Sequence, residues 1–188
     1  LNSLTVAAVM GLRFDARVLE AAGKLGDDAM IEAIEAAETA RLVLPSVDRH
    51  QHRFEFAHAL VRQTLLENLS TLRRARLHLD IADAMEQIHG ETGARAADIA
   101  GHLYRAGEQA DRERTVRFLR LAADHAVRSA ASQEAVEHLE KALTLLPEED
   151  ELERATLFHR CGSLRPNNDV DQADKDLYAA LAIYRRHR

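Results

Sequence analysis

The alternation of apolar and polar residues changes its period within the segment FEFAHALVRQT, residues 54–64. Residues 54–56 alternate as a strand does, whereas the apolar residues from Leu60 onward recur at the three- and four-residue spacing of a helix. His58 lies where the period changes. The pattern therefore predicts a strand that passes directly into a helix, with an imidazole at the joint.

Three short helices are predicted before this joint. Apolar segments closed by Gly11 and Gly23 form the first two, and Asp15 is placed to cap the second at its N-terminus. Asp27 and Asp28 open the third helix. Its apolar residues recur at helical spacing and form one face, which comprises Met30, Ile31, Ile34 and Ala37.

Two short alternating segments follow, at 42–47 and 53–56, and they predict a β-hairpin. Pro45 cannot donate a ladder hydrogen bond, so the first segment is expected at an edge of the sheet. Three helices followed by a two-stranded ribbon is the order of a winged helix. We therefore predict a mainly α protein in which residues 1–69 form a winged-helix domain.

Beyond residue 57 the pattern predicts helices only, and short connections between them imply antiparallel helical hairpins. The segment AVEHLEKALTLLP, residues 135–147, resembles the second helix of a tetratricopeptide repeat, with Ala135, Leu139 and Ala142 at the close-packing positions and Pro147 as the stop. A looser echo occurs at 173–184. We predict a helical repeat domain over residues 70–188, with helices at 58–69, 71–89, 94–107, 112–128, 131–146, 151–164 and 172–187.

Composition and charge disfavour several classes of function. The chain has 188 residues, 46% of them hydrophobic, and a net charge of −6, which disfavours a protein that grips nucleic acid phosphates. The third helix carries Glu32, Glu35 and Glu38 and no basic residue before Arg41, so we predict no direct DNA binding by this segment. No apolar run approaches the ~20 residues of a membrane span. The lone Cys161 favours a cytoplasmic protein.

Few residues are candidates for a catalytic, metal-binding or phosphate-binding site. The densest positive patch comprises Arg73, Arg74 and Arg76, which is either a solvated helix start or a contact for a nucleotide phosphate or an acidic partner. The ten histidines show no metal-binding spacing, so we predict no metal site. Cys161 is interpreted as buried filler, and the three tyrosines as interior or groove residues. No G-x-x-x-x-G-K-[ST] motif occurs, so this chain alone is predicted not to be an enzyme.

The stretch FEFAHALVRQTLLENL followed by STLRRARLHLDIADAMEQ resembles signal-transduction ATPases with numerous domains. It is similar in particular to the large ATP-binding LuxR-type regulators and to cyclases that carry the same ATPase module. The resemblance covers about residues 4–146, and its most specific part is the F-x-F-x-H-x-L-V-R pattern at 54–62. In these families a nucleotide-binding core precedes a winged helix and helical repeats.

The resemblance implies that His58 and Arg62 are nucleotide-sensing residues, with His58 reaching the diphosphate of bound ADP. The chain itself would hold no cofactor, whereas the full-length protein would bind ADP or ATP. The competing interpretation is that His58 forms a local hydrogen bond that fixes the strand-to-helix turn. Because the sequence begins without Met and ends in a basic run without a helix stop, we expect it to be part of a longer protein.

The leading hypothesis is the regulatory segment of a multidomain signalling ATPase, a transcriptional regulator. Its winged helix would be a lid on an upstream nucleotide-binding domain, and its repeats would bind a protein or small-molecule effector. Two alternatives remain open: a helical-repeat scaffold that senses no nucleotide, and the regulatory module of a fused adenylate or guanylate cyclase.

Overall fold

The structure is a computed structural model that describes residues 3–46, 52–166 and 168–187. It is mainly helical, at 76% helix, with one small antiparallel sheet. The chain divides into two compact units, Leu1–Gly90 with Arg105–Gln109, and Glu91–Tyr104 with Ala110–Arg188. The predicted domain boundary between residues 69 and 70 differs from this division and stays a prediction.

The first unit contains the predicted helices and a strand that the sequence pattern missed. In chain order its elements are α1 (Ser3–Met10), β1 (Arg13–Asp15), α2 (Ala16–Gly23), α3 (Asp27–Thr39), β2 (Val43–Pro45), β3 (Arg53–Phe56), α4 (Ala59–Glu67) and α5 (Thr71–His89). A 3-10 turn at Gly107–Gln109 also belongs to it.

The three strands form an antiparallel sheet in the order β1-β3-β2. The predicted β-hairpin is thus confirmed for its two strands, and Pro45 lies on an edge strand as expected; residues 47–51 lie outside the described residues. The unpredicted strand β1 pairs Phe14 with Phe54 on β3. The Phe14 ring lies 5.9 Å from that of Phe54 and 5.7 Å from that of Phe56. This aromatic cluster joins the sheet to the core of the unit.

Two helices of this unit, α2 and α5, have side-chain caps at their N-termini. Asp15 caps α2 by accepting a hydrogen bond from the Arg17 backbone N–H at 2.9 Å, and Ser70 caps α5 in the same way through Arg73. The left-handed residue that ends α2 is Lys24, at φ 52°, rather than the predicted Gly23. Ile31 of the predicted apolar face of α3 is exposed, whereas Ile34 is buried.

The second unit is built from consecutive helices, and from α7 onward each packs on the next in sequence. They are α6 (Gly93–Ala106, up to Tyr104 in this unit), α7 (Arg112–Arg128), α8 (Ser132–Leu145), α9 (Glu151–Leu164) and α10 (Val170–Arg186). Ala135, Leu139 and Ala142 are fully buried on α8. A Cβ at Gly162 of α9 would lie 2.7 Å from the Leu177 side chain, so α9 and α10 approach closely there.

Arg165, just after α9, holds three carboxylates from the helices around it. Its guanidinium lies 2.7 Å from Asp176 on α10, 3.0 Å from Asp169 and 2.5 Å from Glu140 on α8. The side chains of Arg165 and Asp176 are each only 7% exposed. A buried carboxylate is costly unless it is paired, so Arg165 is the residue that allows Asp176 to lie inside the unit.

We expect Arg165→Ala to destabilise the second unit by about 3 kcal/mol, because the change leaves Asp176 buried without its charge partner. Urea unfolding followed by tyrosine fluorescence measures this, since all three tyrosines lie in the second unit.

The matched control is Arg120→Ala. Arg120 pairs with Glu153 at 2.8 Å, but both side chains are more than a third exposed, so its loss is expected to cost less than about 1 kcal/mol. Equal losses in the two variants would contradict the special role of Arg165.

Candidate functional site

The joint between β3 and α4 is held by backbone groups. The Phe56 N–H donates to Leu12 O and the Ala57 N–H donates to Leu42 O, both at 2.9 Å. His58 follows as the N-cap of α4 with an extended backbone (φ −139°, ψ 131°), and its carbonyl accepts a hydrogen bond from Val61 at 3.1 Å. The predicted change from strand to helix is therefore confirmed.

The imidazole of His58 does not take part in fixing this turn. It makes no capping hydrogen bond to α4, and the residue is exposed. Within the described residues no hydrogen bond or ion pair of its side chain is found. The interpretation of His58 as a local turn-fixing residue is therefore wrong, and both ring nitrogens are available to a partner.

Helix α4 has an outer and an inner side at its first turn. Ala59 and Leu60 are exposed next to His58, and Leu60 is 73% exposed. Val61 and Arg62 are half-buried, and the Arg62 Nε donates a hydrogen bond to the carbonyl oxygen of Ala8 at 2.8 Å. That carbonyl is among the last four of α1, which have no partner inside the helix.

The side chains of Arg62 and His58 thus have different surroundings. The Arg62 guanidinium satisfies a backbone carbonyl of α1, whereas the His58 imidazole is solvent-exposed. No hydrogen bond joins the two predicted nucleotide-sensing residues. The structure gives Arg62 an anchoring role, and its part in sensing stays a prediction.

The arginines at 73, 74 and 76 do not converge on one point. The Arg74 Nη2 donates to Leu66 O at 2.6 Å, near the end of α4, and its Nε is buried without a partner among the described residues. Arg76 lies 3.6 Å from Asp80, which also lies 3.6 Å from Lys24. Arg73 is exposed, and its guanidinium is free of ion pairs within the described ranges. Of the three, Arg73 is the most available to an external anion.

A buried histidine that the sequence analysis missed lies one helical turn after Arg74. His78 is buried on α5, and its pKa is lowered to about 4, first by burial and then by the positive charges of Arg105, Arg74 and Arg62. Its place in the apolar stripe between Leu77 and Ile81 was the available signal. His78 is therefore neutral at pH 7 and lies beside several arginines.

The outer surface of α3 is acidic, as predicted. Asp28, Glu32 and Glu35 are exposed and Glu38 is half-buried, while Arg41, the first basic residue after them, follows the end of the helix. A phosphate backbone laid along this helix would meet carboxylates. The predicted lack of direct DNA binding by this segment stays a prediction.

A groove of about 480 Å³ lies along α7 and α9 in the second unit. Its charges are largely paired: Arg120 binds Glu153 at 2.8 Å, and Asp124 binds Arg160. Arg112 and Glu113, at the start of α7, are exposed beside it. The groove therefore offers mixed charges to a polar ligand.

The remaining candidates of the sequence analysis are Cys161, the tyrosines and a metal site. Cys161 is buried, and burial raises the pKa of its thiol to about 12, so it is a packing residue as predicted. Tyr178 was expected in the interior or in a groove between helices and is 70% exposed, which corrects that prediction. In the described part of the chain no three His, Cys, Asp or Glu side chains are grouped as metal ligands.

Comparison of the chain with known protein families, with curated proteins and with solved structures finds no match. Within the described ranges, every helix is too short or too polar to cross a bilayer.

The buried His78 predicts a pH dependence of stability. Its folded-state pKa of about 4 lies below the ordinary value of 6.5, so between these values the unfolded chain binds more protons than the folded one. Stability is therefore complete above pH 6.5 and is lost as the pH falls toward 4. Allowing for solvent screening, we expect a loss on the order of 2 kcal/mol.

Hydrogen exchange of peptides from α5, followed by mass spectrometry at pH 7.5 and pH 5, measures this loss after correction for the intrinsic exchange rate. His78→Gln removes the titrating group and should flatten the dependence, whereas His159→Gln, at an exposed position on α9, should not. An unchanged pH dependence in His78→Gln would contradict the assignment.

Proposed function

We propose that this chain is the regulatory and interaction segment of a multidomain, nucleotide-dependent signalling protein, a transcriptional regulator of the LuxR type. Its first third acts as a lid on a nucleotide-binding domain of the same protein, and His58 contacts the diphosphate of ADP held there. The single observation that carries this proposal is the exposed His58, free of local hydrogen bonds, at the N-terminus of α4.

The order of elements supports a winged-helix reading of the first unit. Helix, strand, two helices and two strands follow one another, and β1 pairs with β3 beside β2. In such a domain the third helix is the usual DNA-reading element, and here it is acidic. A domain of this shape with a negative third helix fits docking on another protein domain better than docking on a duplex.

The surroundings of His58 suit a diphosphate. The first backbone N–H groups of a helix carry partial positive charge, and α4 begins directly after His58. A hydrogen bond from an imidazole N–H to a phosphate oxygen is charge-assisted and contributes roughly 1.5–3 kcal/mol. Leu60, exposed beside it, supplies an apolar contact for the neighbouring domain.

The helices of the second unit support a tetratricopeptide-like repeat that binds an effector. The α7–α8 pair has its small residues buried at the expected positions, and α9 packs closely on α10 at Gly162. The groove along α7 and α9 is open to a protein or polar small-molecule effector. Binding there would bias the lid between docked and released states.

A scaffold without nucleotide sensing is the second candidate, and the same groove favours it. The groove is built wholly within the second unit and uses neither His58 nor Arg62. A helical-repeat adaptor would need only that surface. A fused cyclase is the third candidate, in which the same lid and repeats would regulate a different output domain.

The test replaces His58 with Ala in the full-length protein and measures ADP that remains bound after purification. We expect the variant to retain at least about tenfold less ADP under dilution, because one charge-assisted hydrogen bond to the diphosphate is lost. Basal output should rise in parallel.

His159→Ala is the control, since it removes another exposed histidine far along the sequence. It should retain ADP as the unmodified protein does. If His58→Ala also retained ADP fully, His58 would have no part in nucleotide sensing, and the scaffold would become the better hypothesis.

A further inference from the structure

Helix α4 is the least buried helix among the described residues of the first unit. None of its nine residues is buried, whereas α1, α2, α3 and α5 each bury at least two side chains. The apolar residues Val61, Leu65 and Leu66 are half-buried. Leu60 is 73% exposed. Because the packing of an apolar face supplies most of the free energy that holds a helix in a protein, α4 is only weakly held on its neighbours.

Two arginine side chains connect α4 to neighbouring helices. The Arg62 Nε, in the first turn of α4, donates a hydrogen bond to Ala8 O at the end of α1, at 2.8 Å. The Arg74 Nη2, on α5, donates to Leu66 O in the last turn of α4, at 2.6 Å. Carbonyls in the last turn of a helix carry partial negative charge, which favours both contacts. One arginine therefore holds the start of α4 and the other holds its end.

The chain is fixed on both sides of α4 by hydrogen bonds of other residues. Before α4, the Ala57 N–H donates to Leu42 O at 2.9 Å. After it, Ser70 caps α5 by accepting a hydrogen bond from the Arg73 N–H. Neither contact involves a residue of α4. The helix can therefore leave its place on α1 while the sheet and α5 keep their hydrogen bonds.

We propose that residues 58–69 open as one local unit, in which α4 leaves α1 and unfolds while the sheet and α5 stay folded. Isolated helices shorter than ~12–15 residues are marginal in water, so a detached α4 does not persist as a helix. The opening segment includes His58. The first unit thus has one state in which this imidazole lies at a helix N-terminus and one in which it does not. Both states belong to this chain alone, whether or not His58 contacts a nucleotide.

Native-state hydrogen exchange of the whole chain, followed by NMR at pH 7 over about 0–2 M urea, tests the proposal. The amides of residues 63–67 donate within α4. After correction for intrinsic rates, they should exchange at least about tenfold faster than amides in the middle of α5. Their rates should hardly change with urea, because opening one short helix exposes little surface, whereas the α5 rates should rise steeply.

Variants of the two arginines test what holds α4. Arg62→Ala should speed exchange at all of the amides 63–67 by about tenfold, because opening then breaks one charged hydrogen bond fewer. Arg74→Ala should speed it by only about threefold, since Leu66 O also accepts the Leu69 N–H at 3.1 Å and so keeps a donor. Arg73→Ala is the control, because this exposed neighbour of Arg74 makes no side-chain contact with α4 among the described residues. It should leave the rates unchanged.

Amides of α4 that exchange as slowly as those of α5, with the same dependence on urea, would overturn the proposal, because α4 would then open only in global unfolding. Acceleration by Arg62→Ala that is confined to one end of the helix would show fraying and would overturn the single unit. An effect of Arg74→Ala no larger than that of Arg73→Ala would overturn the role of Arg74.

Discussion

The turn between β3 and α4 is held without a hydrogen bond from the His58 side chain. This side chain is therefore available to a partner. Backbone hydrogen bonds from Phe56 and Ala57 fix the end of the strand, and Arg62 fixes the first turn of the helix on Ala8 of α1. The turn therefore needs no imidazole. His58 is left exposed beside Leu60, at a helix N-terminus that favours an anion.

A second constraint organises the helical repeats. Arg165 satisfies Asp176 inside the second unit while it also reaches Glu140 and Asp169. This arrangement connects α8, the end of α9 and α10 through a single guanidinium. Because Arg165 and Asp176 are both buried, any arrangement that left the carboxylate unpaired would cost free energy. The geometry of this contact is therefore fixed.

Helical periodicity predicted most of the fold. The segments at 71–89, 112–128 and 151–164 have the predicted bounds because long, strongly periodic helices carry enough residues to define a face. Strand β1 was missed because three residues cannot show an alternation, and its pairing with β3 depends on residues about 40 positions away. Asp15 was recognised as a cap, but its preceding residues were not recognised as a strand.

The candidate site was predictable only in part. The change of period predicted the position of His58 at the joint. That its side chain forms no hydrogen bond within the described residues depends on backbone partners distant in sequence, which no local pattern reveals. Arg73, Arg74 and Arg76 appeared as one cluster in the sequence. They diverge in the structure because Arg74 meets a carbonyl of α4 and Arg76 meets Asp80. His78 was not predicted as a candidate because a histidine within an apolar stripe is indistinguishable from an ordinary core residue.

Urea unfolding of His58→Ala and Arg62→Ala, compared with the unmodified chain by circular dichroism, tests the central claim most directly. If the joint is held by the backbone and Arg62, His58→Ala should lie within about 0.5 kcal/mol of the unmodified chain. Arg62→Ala should lose about 1–2 kcal/mol, because the Ala8 carbonyl loses its charged donor. A loss above about 1 kcal/mol in His58→Ala would show that the imidazole holds the turn, and would contradict the account.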